Sequence, residues 1–358
     1  MPKQEVGLST MKRIDKVVRR IRRKQQPELD GRITNETVAE HREQILAGGR
    51  RFKYPVQYSR YKLVINSLLI ALGSIVVAVI IMWWQLYLVQ NSSKFMYRMT
   101  QVFPVPVASV DGEPVPYSMY LKRFRSSIHY LEQQNGLNVE TADGKKEVEY
   151  RKRVELDNAI RDAFATKLAR DYNVDVTEAD VSAFITKDLA NKKVSEVTYE
   201  KTVLNAFYDW SMGDYRTIVR AELLTRKVSF AVDKTAKSKS DRVLAALRAP
   251  GADFGAVAKA ESDDAATKAS GGDSGDVPLK TLDSNGVIAK ATALKPGQVS
   301  DLIYGTDGYY IVKLTSKTDQ SVRFQFIKIA LNEFEKQYTA VRTGGKTKEY
   351  IAVQTQKK

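Results

Sequence analysis

An uncharged stretch of 27 residues, from Leu63 to Val89, constrains this chain more than any other feature. It contains no Asp, Glu, Lys or Arg. About 20 apolar residues suffice for a helix to cross the hydrocarbon core of a bilayer. Trp83, Trp84 and Tyr87 lie near its C-terminal end, where amphipathic rings favour the membrane interface. The sequence therefore predicts a single transmembrane helix over 63–89.

Basic residues are concentrated before this stretch. Residues 1–62 contain 16 Lys and Arg against 7 Asp and Glu, whereas the rest of the chain contains 41 against 35. Because positive charge stays on the cytoplasmic side, the tail over 1–62 is predicted to be cytoplasmic and everything after the anchor extracytoplasmic. The alternative is a cleaved signal peptide, but its apolar part would be shorter and nearer the start. We favour an uncleaved anchor in the cell membrane.

The charged tail has two possible partners. Anionic lipid headgroups attract each nearby basic residue by about 1 kcal/mol. Nucleic acid would be attracted by the same charges. Residues 1–51 contain no Phe, Tyr or Trp that could stack on bases, so we favour lipid and do not expect nucleic-acid binding.

The composition limits the chemistry that is available. The chain has no cysteine and only two histidines, His41 and His129, which are far apart in the sequence. Disulfides and thiolate sites are therefore excluded, and a zinc site is not expected. We predict neither a metal nor a cofactor.

A helical region is predicted over 102–232. It opens with a short β-prone run at 107–110 and a turn at Asp111-Gly112. Apolar residues then recur at helical spacing in several segments. Thr177 is placed to cap a helix whose first turn carries Glu178 and Asp180.

Four motifs follow one another between 251 and 314: GADFGAVAKAESDD, GGDSG, ALKPGQVSDLI and GYYIVKL. In this order and spacing they resemble the parvulin family of peptidyl-prolyl isomerases. The resemblance implies a small α+β domain over 240–330 with a small antiparallel sheet. The remaining residues, 331–358, are interpreted as a C-terminal tail.

The helical region carries a second resemblance, through VASVDGEPVPYSMYLKRF, VELDNAIRDAFATKLARDYNVDVTEADVSAFI and DYRTIVRAELLTRKV. These segments are similar to the N-terminal chaperone domain of SurA-like and PrsA-like foldases. The layout of the whole chain resembles membrane-anchored foldases of the PpiD type. The fold class that follows is a transmembrane helix, an all-α chaperone-like domain and then the parvulin-like domain.

The resemblance also shows which catalytic positions have changed. Parvulins use two histidines on central strands, a nearby Cys or Asp, and a hydrophobic proline pocket. The final-strand histidine corresponds to Tyr310, and the Cys or Asp position to Asp264. The pocket aromatics correspond to Asp307, Val287 and Thr292. Most of the expected pocket is therefore small or polar.

The first-strand histidine has two candidate positions, and both hold phenylalanine. If residues 226–247 contained the first strand, the position would be Phe230. VRFQFIKI at 322–329 matches the strand pattern better and gives Phe326. In that case the domain is circularly permuted, with GYYIVKL and VRFQFIKI joined as a hairpin. The sequence leaves both alternatives open.

Several candidate residues also have an ordinary structural explanation. Asp264 is more readily a loop carboxylate that caps a turn than a catalytic group. Gly271, Gly272 and Asp273 suit a turn that needs unusual backbone angles. Tyr309 and Tyr310 alternate faces on a strand, and packing is the simpler role for both.

Three functions are compatible with this pattern. We favour an extracytoplasmic, membrane-tethered chaperone that binds unfolded or nascent secreted polypeptides, with the secretion channel as a further candidate partner. Its parvulin-like domain would be catalytically degenerate. The alternatives are an active isomerase that uses Asp264 and Tyr310, and a membrane assembly or scaffold protein.

Overall fold

The structure is a computed structural model that describes residues 34–53 and 56–354. About half of the predicted cytoplasmic tail, residues 1–33, lies outside the described residues. Residues up to Val79 and residues from Ile80 onward form two separate compact units.

The first unit contains α1 (Asn35–Lys53) and most of α2 (Val56–Trp83). The helical run from Tyr61 to Leu88 has a mean hydropathy of 2.7 and is long and apolar enough to cross a membrane. None of its most apolar window is buried within the protein. The regular α-helix ends at Trp83, six residues before the predicted end of the anchor, and a π-helical turn follows at Trp84–Leu88.

The second unit begins with a helix-rich region and a small sheet. Its first helices and strands are α3 (Lys94–Val102), β1 (Pro106–Val110), β2 (Glu113–Pro116), α4 (Tyr117–Asn135) and α5 (Ala142–Asp171). They are followed by α6 (Glu178–Lys192), α7 (Glu196–Tyr199), a π-helical segment (Glu200–Tyr208) and α8 (Met212–Val232). As the sequence predicts, Thr177 caps α6: its side chain accepts a hydrogen bond from the Asp180 amide, and Asp180 bonds back to the Thr177 amide.

The parvulin-like part occupies the next stretch of chain. It comprises α9 (Lys234–Leu247), α10 (Phe254–Glu261), a 3-10 turn (Lys268–Ser270), β3 (Asp273–Pro278), α11 (Val287–Thr292), β4 (Ile303–Tyr304), β5 (Gly308–Lys317) and β6 (Ser321–Ala330). The chain then continues through α12 (Glu333–Thr343) and β7 (Thr347–Glu349).

The four-stranded sheet decides between the two candidate first strands. Its order is β3-β6-β5-β4, and every neighbouring pair is antiparallel. β5 and β6 form the hairpin that the permuted alternative requires, with Val312 opposite Phe326. Residues 226–247 lie in α8 and α9, apart from the single junction residue Asp233. The first-strand position is therefore supplied from after the final strand, as circular permutation predicts.

The structure corrects the start of the helical domain, which we placed at residue 102. Leu86 and Met96 are buried in the same core as Val107 and Leu121. The Tyr117 hydroxyl donates a hydrogen bond of 2.5 Å to the Leu86 carbonyl oxygen. The last residues of the predicted anchor thus belong to the core of the domain that follows.

Residues 331–358 are not a tail as far as the structure describes them. Phe334 and Ile351 are 2% and 4% exposed and pack into the core of the helix-rich region. β7 pairs antiparallel with β1, with Ala108 opposite Glu349, which completes a sheet of order β2-β1-β7. A three-residue strand whose partner is distant in sequence leaves no periodic pattern, so the sequence did not reveal it.

One buried carboxylate lies where the chain enters and leaves the parvulin-like part. Asp233, 4% exposed, follows α8 directly. Its Oδ1 accepts a hydrogen bond of 2.8 Å from the Ala236 amide in α9. Its Oδ2 accepts bonds of 2.8 and 3.1 Å from the amides of Asn332 and Glu333 at the start of α12. The parvulin-like part is thus an insertion whose two ends meet at Asp233.

Candidate functional site

The face of the four-stranded sheet that carries the candidate site is filled by its own side chains. Tyr310, Val312 and Leu314 from β5 pack there with side chains of β6 and α11. The rings of Tyr310 and Phe326 lie 6.3 Å apart between centroids. Tyr310 is only 5% exposed. The two positions that correspond to the parvulin histidines are therefore neighbours in space.

A closed hydrogen-bond network surrounds the Tyr310 hydroxyl. It donates to Asp307 Oδ1 at 2.7 Å and accepts from Asn285 Nδ2 at 3.1 Å. Asn285 Oδ1 in turn accepts from the amide and the hydroxyl of Thr306. A phenol has a single proton to donate, and here Asp307 receives it. The hydroxyl is therefore not free to donate to a substrate in this arrangement.

Lys328 completes the network from β6. Its ammonium donates to Asp307 Oδ2 and lies 6.0 Å from the centre of the Tyr310 ring. Burial raises the pKa of Asp307, but the hydrogen bonds from Lys328 and Tyr310 outweigh it, so the pKa lies below its ordinary value. Burial and the hydrogen bond to Asp307 raise the pKa of Tyr310. At neutral pH the network thus joins a neutral phenol at Tyr310 to a carboxylate at Asp307.

Asp264 holds the turn that precedes the 3-10 helix. Its Oδ2 accepts hydrogen bonds from the Thr267 amide at 3.0 Å and from the Thr267 hydroxyl at 2.6 Å. This is the ordinary capping role that we weighed against catalysis.

Gly272 and Asp273, at the start of β3, contact residues of β6. Asp273 accepts a hydrogen bond of 3.1 Å from the Gly275 amide and pairs with the Arg323 guanidinium. Gly271 and Gly272 have φ angles of 70° and 79°. A Cβ on Gly272 would lie 2.2 Å from the Phe326 carbonyl oxygen, so no larger residue fits there.

The structure separates the remaining candidates. Phe230 lies on α8 and packs against Tyr309 on the opposite face of the sheet, with 4.9 Å between ring centroids. Val287 is 9% exposed and joins the cluster around Tyr310. The Thr292 hydroxyl donates to the Ile288 carbonyl oxygen at 2.6 Å, within α11. Tyr309 and Tyr310 are both buried, as packing roles require.

Two members of the Tyr310 network, Asn285 and Lys328, were not predicted from the sequence. Lys328 could have been found, because it follows Phe326 by two residues and side chains alternate along a strand. It also lies directly opposite Tyr310 in the β5–β6 register. Asn285 lies in the loop before α11, where no pattern in the sequence marks it.

The helix-rich region holds a cleft of 470 Å³. It lies among α3, α4, the π-helical segment and the start of α8. Its charged lining residues are four cations and two carboxylates: Lys94, Arg98, Lys122, Arg125, Asp209 and Asp214. Lys122 is buried and pairs with Asp214 at 3.0 Å. The Trp210 indole nitrogen is also buried there, and it has no hydrogen-bond partner among the described residues.

Two protein-family models match this chain, one after the other. A model described as the PPIC-type PPIASE domain matches residues 223–316, and one described as the SurA-like N-terminal domain matches residues 61–229. The chain combines a SurA-like N-terminal domain with a PPIC-type domain. The PPIC-type match ends at Ser316, before β6, although β6 is a central strand of the observed sheet.

Curated relatives carry a consistent name. The chain is 27% identical to the foldase protein PrsA of Streptococcus gordonii over 63% of this chain and 74% of that protein. It is 32% identical to PrsA of Streptococcus sanguinis over 57% of each chain. PrsA of Caldanaerobacter subterraneus subsp. tengcongensis is 27% identical over 63% of this chain and 79% of that protein.

Two solved PrsA structures also match. The structure from Streptococcus pneumoniae covers 57% of this chain at 18% identity, with a TM-score of 0.20. The structure from Bacillus anthracis covers 53% at 18% identity, with a TM-score of 0.18. Superpositions with TM-scores this low do not establish a shared fold. The PPIC-type domain is indicated by the family model and by the strand order.

Within this PPIC-type domain the Tyr310 network occupies the centre of the sheet face. It contains no histidine. The Asp307 side chain accepts hydrogen bonds from both the Tyr310 hydroxyl and Lys328, so the charges of Asp307 and Lys328 compensate each other. The arrangement holds β5, β6 and the loops at Asn285 and Asp307 together. The Tyr310 hydroxyl has no second proton to offer to a twisted prolyl amide.

Proposed function

We propose that this chain is a membrane-tethered foldase that works outside the cytoplasm as a chaperone, with a PPIC-type domain that no longer catalyses prolyl isomerisation. The observation that carries the loss of catalysis is the closed network around Tyr310. The foldase role follows from the SurA-like and PPIC-type domains and from the similarity to PrsA proteins.

Catalysis by this site is opposed by the free energy needed to release its donors. An isomerase must stabilise the twisted amide against a barrier of about 18–20 kcal/mol between the planar forms. A donor that stabilises the twisted form must be available to the substrate. The Tyr310 proton is engaged by Asp307, and Asp264 is engaged by Thr267. Freeing either group would break existing hydrogen bonds at a cost of about 1 kcal/mol or more each.

The chaperone role needs low-specificity contact with unfolded chain. Exposed tyrosines of the second unit, among them Tyr130, Tyr172 and Tyr304, supply large, rigid contact area at little entropic cost. We propose that unfolded or nascent secreted polypeptides are bound by the second unit. We further propose that the basic tail stays in the cytoplasm near anionic lipid and that the secretion channel is a partner. The anchor then keeps the second unit near polypeptides that emerge from the membrane.

A protease-coupled proline-isomerisation assay on the full chain in detergent tests this proposal, beside suppression of aggregation of an unfolded client. We expect suppression of aggregation without acceleration of isomerisation. Tyr310→Phe and Asp264→Ala should leave both measurements unchanged, provided that circular dichroism shows intact folding. Tyr304→Phe is the matched control, because Tyr304 is half exposed and lies outside the network.

Acceleration that both Tyr310→Phe and Asp264→Ala abolish, but that Tyr304→Phe retains, would show an active isomerase with an atypical site. Absence of both activities in the folded chain would contradict the chaperone role.

A further inference from the structure

Exposed apolar side chains of the second unit cluster directly after the anchor. Phe95, Val102 and Phe103 are 67%, 69% and 50% exposed. Leu88 and Val89, just before them, are 61% and 49% exposed. From 104 to 354, only three large apolar side chains are exposed to a similar degree: Val197, Leu282 and Tyr304. Single exposed apolar residues are ordinary, but a cluster marks an interaction site.

The cluster lies mainly on α3, whose two faces differ sharply. Met96 and Thr100 are buried against the domain at 5% and 1% exposure. Phe95, Arg98 and Val102 recur at intervals of three and four residues, so they share the opposite face of the helix. That face therefore combines an aromatic ring, a cation and an aliphatic side chain. An amphipathic helix with this composition suits the interface of a bilayer.

Charge on this face favours an anionic surface. Arg98 is exposed and forms no ion pair with any residue in the described part of the chain. Lys94, at the start of α3, is 57% exposed and pairs with Asp209 at 2.9 Å. Both residues line the 470 Å³ cleft, where four cations face two carboxylates. Anionic headgroups are the component of a membrane that such charges attract.

The chain itself limits how far α3 can be from the anchor. Five residues lie between Leu88, at the end of the π-helical turn, and Lys94, which makes six Cα–Cα steps. At about 3.3–3.6 Å per residue, their Cα atoms are at most about 20 Å apart. The connecting residues are also fixed, since Arg125 donates to the Ser92 carbonyl oxygen at 2.6 Å and Ser93 caps α3. α3 therefore lies within a short reach of the point where an anchor would leave the bilayer.

We propose that α3 is a second membrane contact, in which Phe95, Val102 and Phe103 enter the interface and Arg98 meets anionic headgroups. This inference rests on the proposed membrane tethering. A second contact adds to the tether, because an anchor alone leaves the attached domain free to tilt. A second contact fixes the orientation of the SurA-like domain on the membrane surface.

Single-cysteine labelling of the full chain in lipid vesicles tests the inference, because the protein contains no cysteine of its own. Phe95→Cys and Val102→Cys would each carry an environment-sensitive fluorophore, and the quenchers would be placed either near the lipid headgroups or along the acyl chains. Val197→Cys is the matched control, since Val197 is 63% exposed in the same domain but distant in sequence. Gly73→Cys reports on the anchor, and a Cβ there meets no atom within 4 Å.

We expect emission from labels at 95 and 102 to fall about twofold with headgroup quenchers, because an interfacial helix lies about 5–10 Å deep. Emission from the label at 73 should fall with acyl-chain quenchers, because Gly73 lies near the middle of the apolar span. The label at 197 should keep its emission. Anionic vesicles should give stronger quenching at 95 and 102 than zwitterionic vesicles. Arg98→Gln should remove most of that difference and leave position 73 unchanged.

Other outcomes overturn the inference in distinguishable ways. Quenching at 73 alone would leave the tether in place and refute the contact of α3. No quenching at 73 would refute the tether itself. Equal quenching at 197 would show unspecific adsorption. Cross-linking between copies through 95 or 102, without lipid quenching, would assign the face to a second copy of the chain.

Discussion

The two sheets of the second unit are both completed by strands from the C-terminal end of the chain, but they depend on those strands differently. β6, with ten residues, lies between β3 and β5 in the four-stranded sheet. β7, with three residues, is an edge strand beside β1. A central strand has hydrogen-bonded neighbours on both sides, and β6 also separates two apolar clusters. β7 has one neighbour and must be held by other means.

Ion pairs between charged side chains help to hold β7 in place. Arg153 on α5 is 7% exposed and pairs with Glu349 of β7 at 2.8 Å and with Asp157 at 2.7 Å. Arg342 pairs with the same two carboxylates. Neighbouring strands and core packing on both faces hold β6, whereas an ion-pair network holds β7, together with the buried Ile351 that follows it.

Gly272→Ala should disrupt the four-stranded sheet and spare the other. The added Cβ would lie 2.2 Å from the Phe326 carbonyl oxygen, at a residue whose φ is 79°. Left-handed backbone costs a non-glycine residue about 1–2 kcal/mol, and the clash adds to it, so we expect a loss of at least about 3 kcal/mol. Hydrogen exchange should show lost protection in β5 and β6 with β1 still protected.

Gly297→Ala is the matched control for the clash. Gly297 has a similar φ of 82°, but nothing lies within 4 Å of its Cβ position. Its effect should be limited to the backbone cost of about 1–2 kcal/mol. Equal losses from the two variants would show that the close approach to β6 does not matter.

Asp233→Ala should weaken the junction between the two regions. The change removes the acceptor of three backbone amides, those of Ala236, Asn332 and Glu333. Loss of a helix cap costs about 1 kcal/mol and buried unpaired amides cost more, so we expect a loss of about 3 kcal/mol. Equilibrium urea unfolding should change from one transition towards two, as the inserted domain uncouples from its host.

Asp253→Ala is a suitable comparison, because Asp253 caps α10 alone through the amides of Gly255 and Ala256. It should cost about 1 kcal/mol. A single, unshifted unfolding transition in Asp233→Ala would contradict the role of the junction.

Arg153→Ala should release β7 and leave the four-stranded sheet intact. Breaking a buried ion pair costs about 3–5 kcal/mol, but the partners here are partly exposed and keep Arg342, so we expect about 2 kcal/mol. The measurement is protection of the β1 and β7 amides from hydrogen exchange. Lys146→Ala, which removes an ion pair with an exposed Asp143, should have almost no effect. Loss of β5–β6 protection in Arg153→Ala would show that the sheets are not independent.

The same contrast explains what the sequence could predict. The long apolar helix and the other helices arise from apolar patterns within single segments, which the sequence alone reveals. The β5–β6 hairpin, Tyr310, Asp307 and Phe326 were predicted only through the resemblance to parvulin motifs. β7, the Asp233 junction and Asn285 depend on partners distant in the chain. Their short, polar sequences have no local pattern, so their contacts are seen only in the folded structure.

Mild acid should weaken the smaller sheet before the larger one. Burial raises the pKa of Glu349, but the hydrogen bond from Arg153 and the charges of both arginines lower it below its ordinary value of 4.5. A carboxylate whose pKa is lower in the folded state stabilises the fold above its unfolded pKa, and this contribution is lost as pH falls through the folded value. At β7 this contribution is complete above about pH 4.5 and is lost progressively as pH falls below that value.

The pKa of Asp307 is also lowered in the folded chain, from an ordinary value of 3.8, and the side chain is 52% exposed. Solvent screening limits its contribution to a few tenths of a kcal/mol, about the size of an exposed pair. Hydrogen exchange between pH 6 and pH 3, corrected for intrinsic rates, should therefore show β1–β7 protection falling before β5–β6 protection. Glu349→Gln should flatten the pH dependence of the first sheet alone. If both sheets lost protection together in the unmodified chain, the ion-pair network would not be what distinguishes β7 from β6.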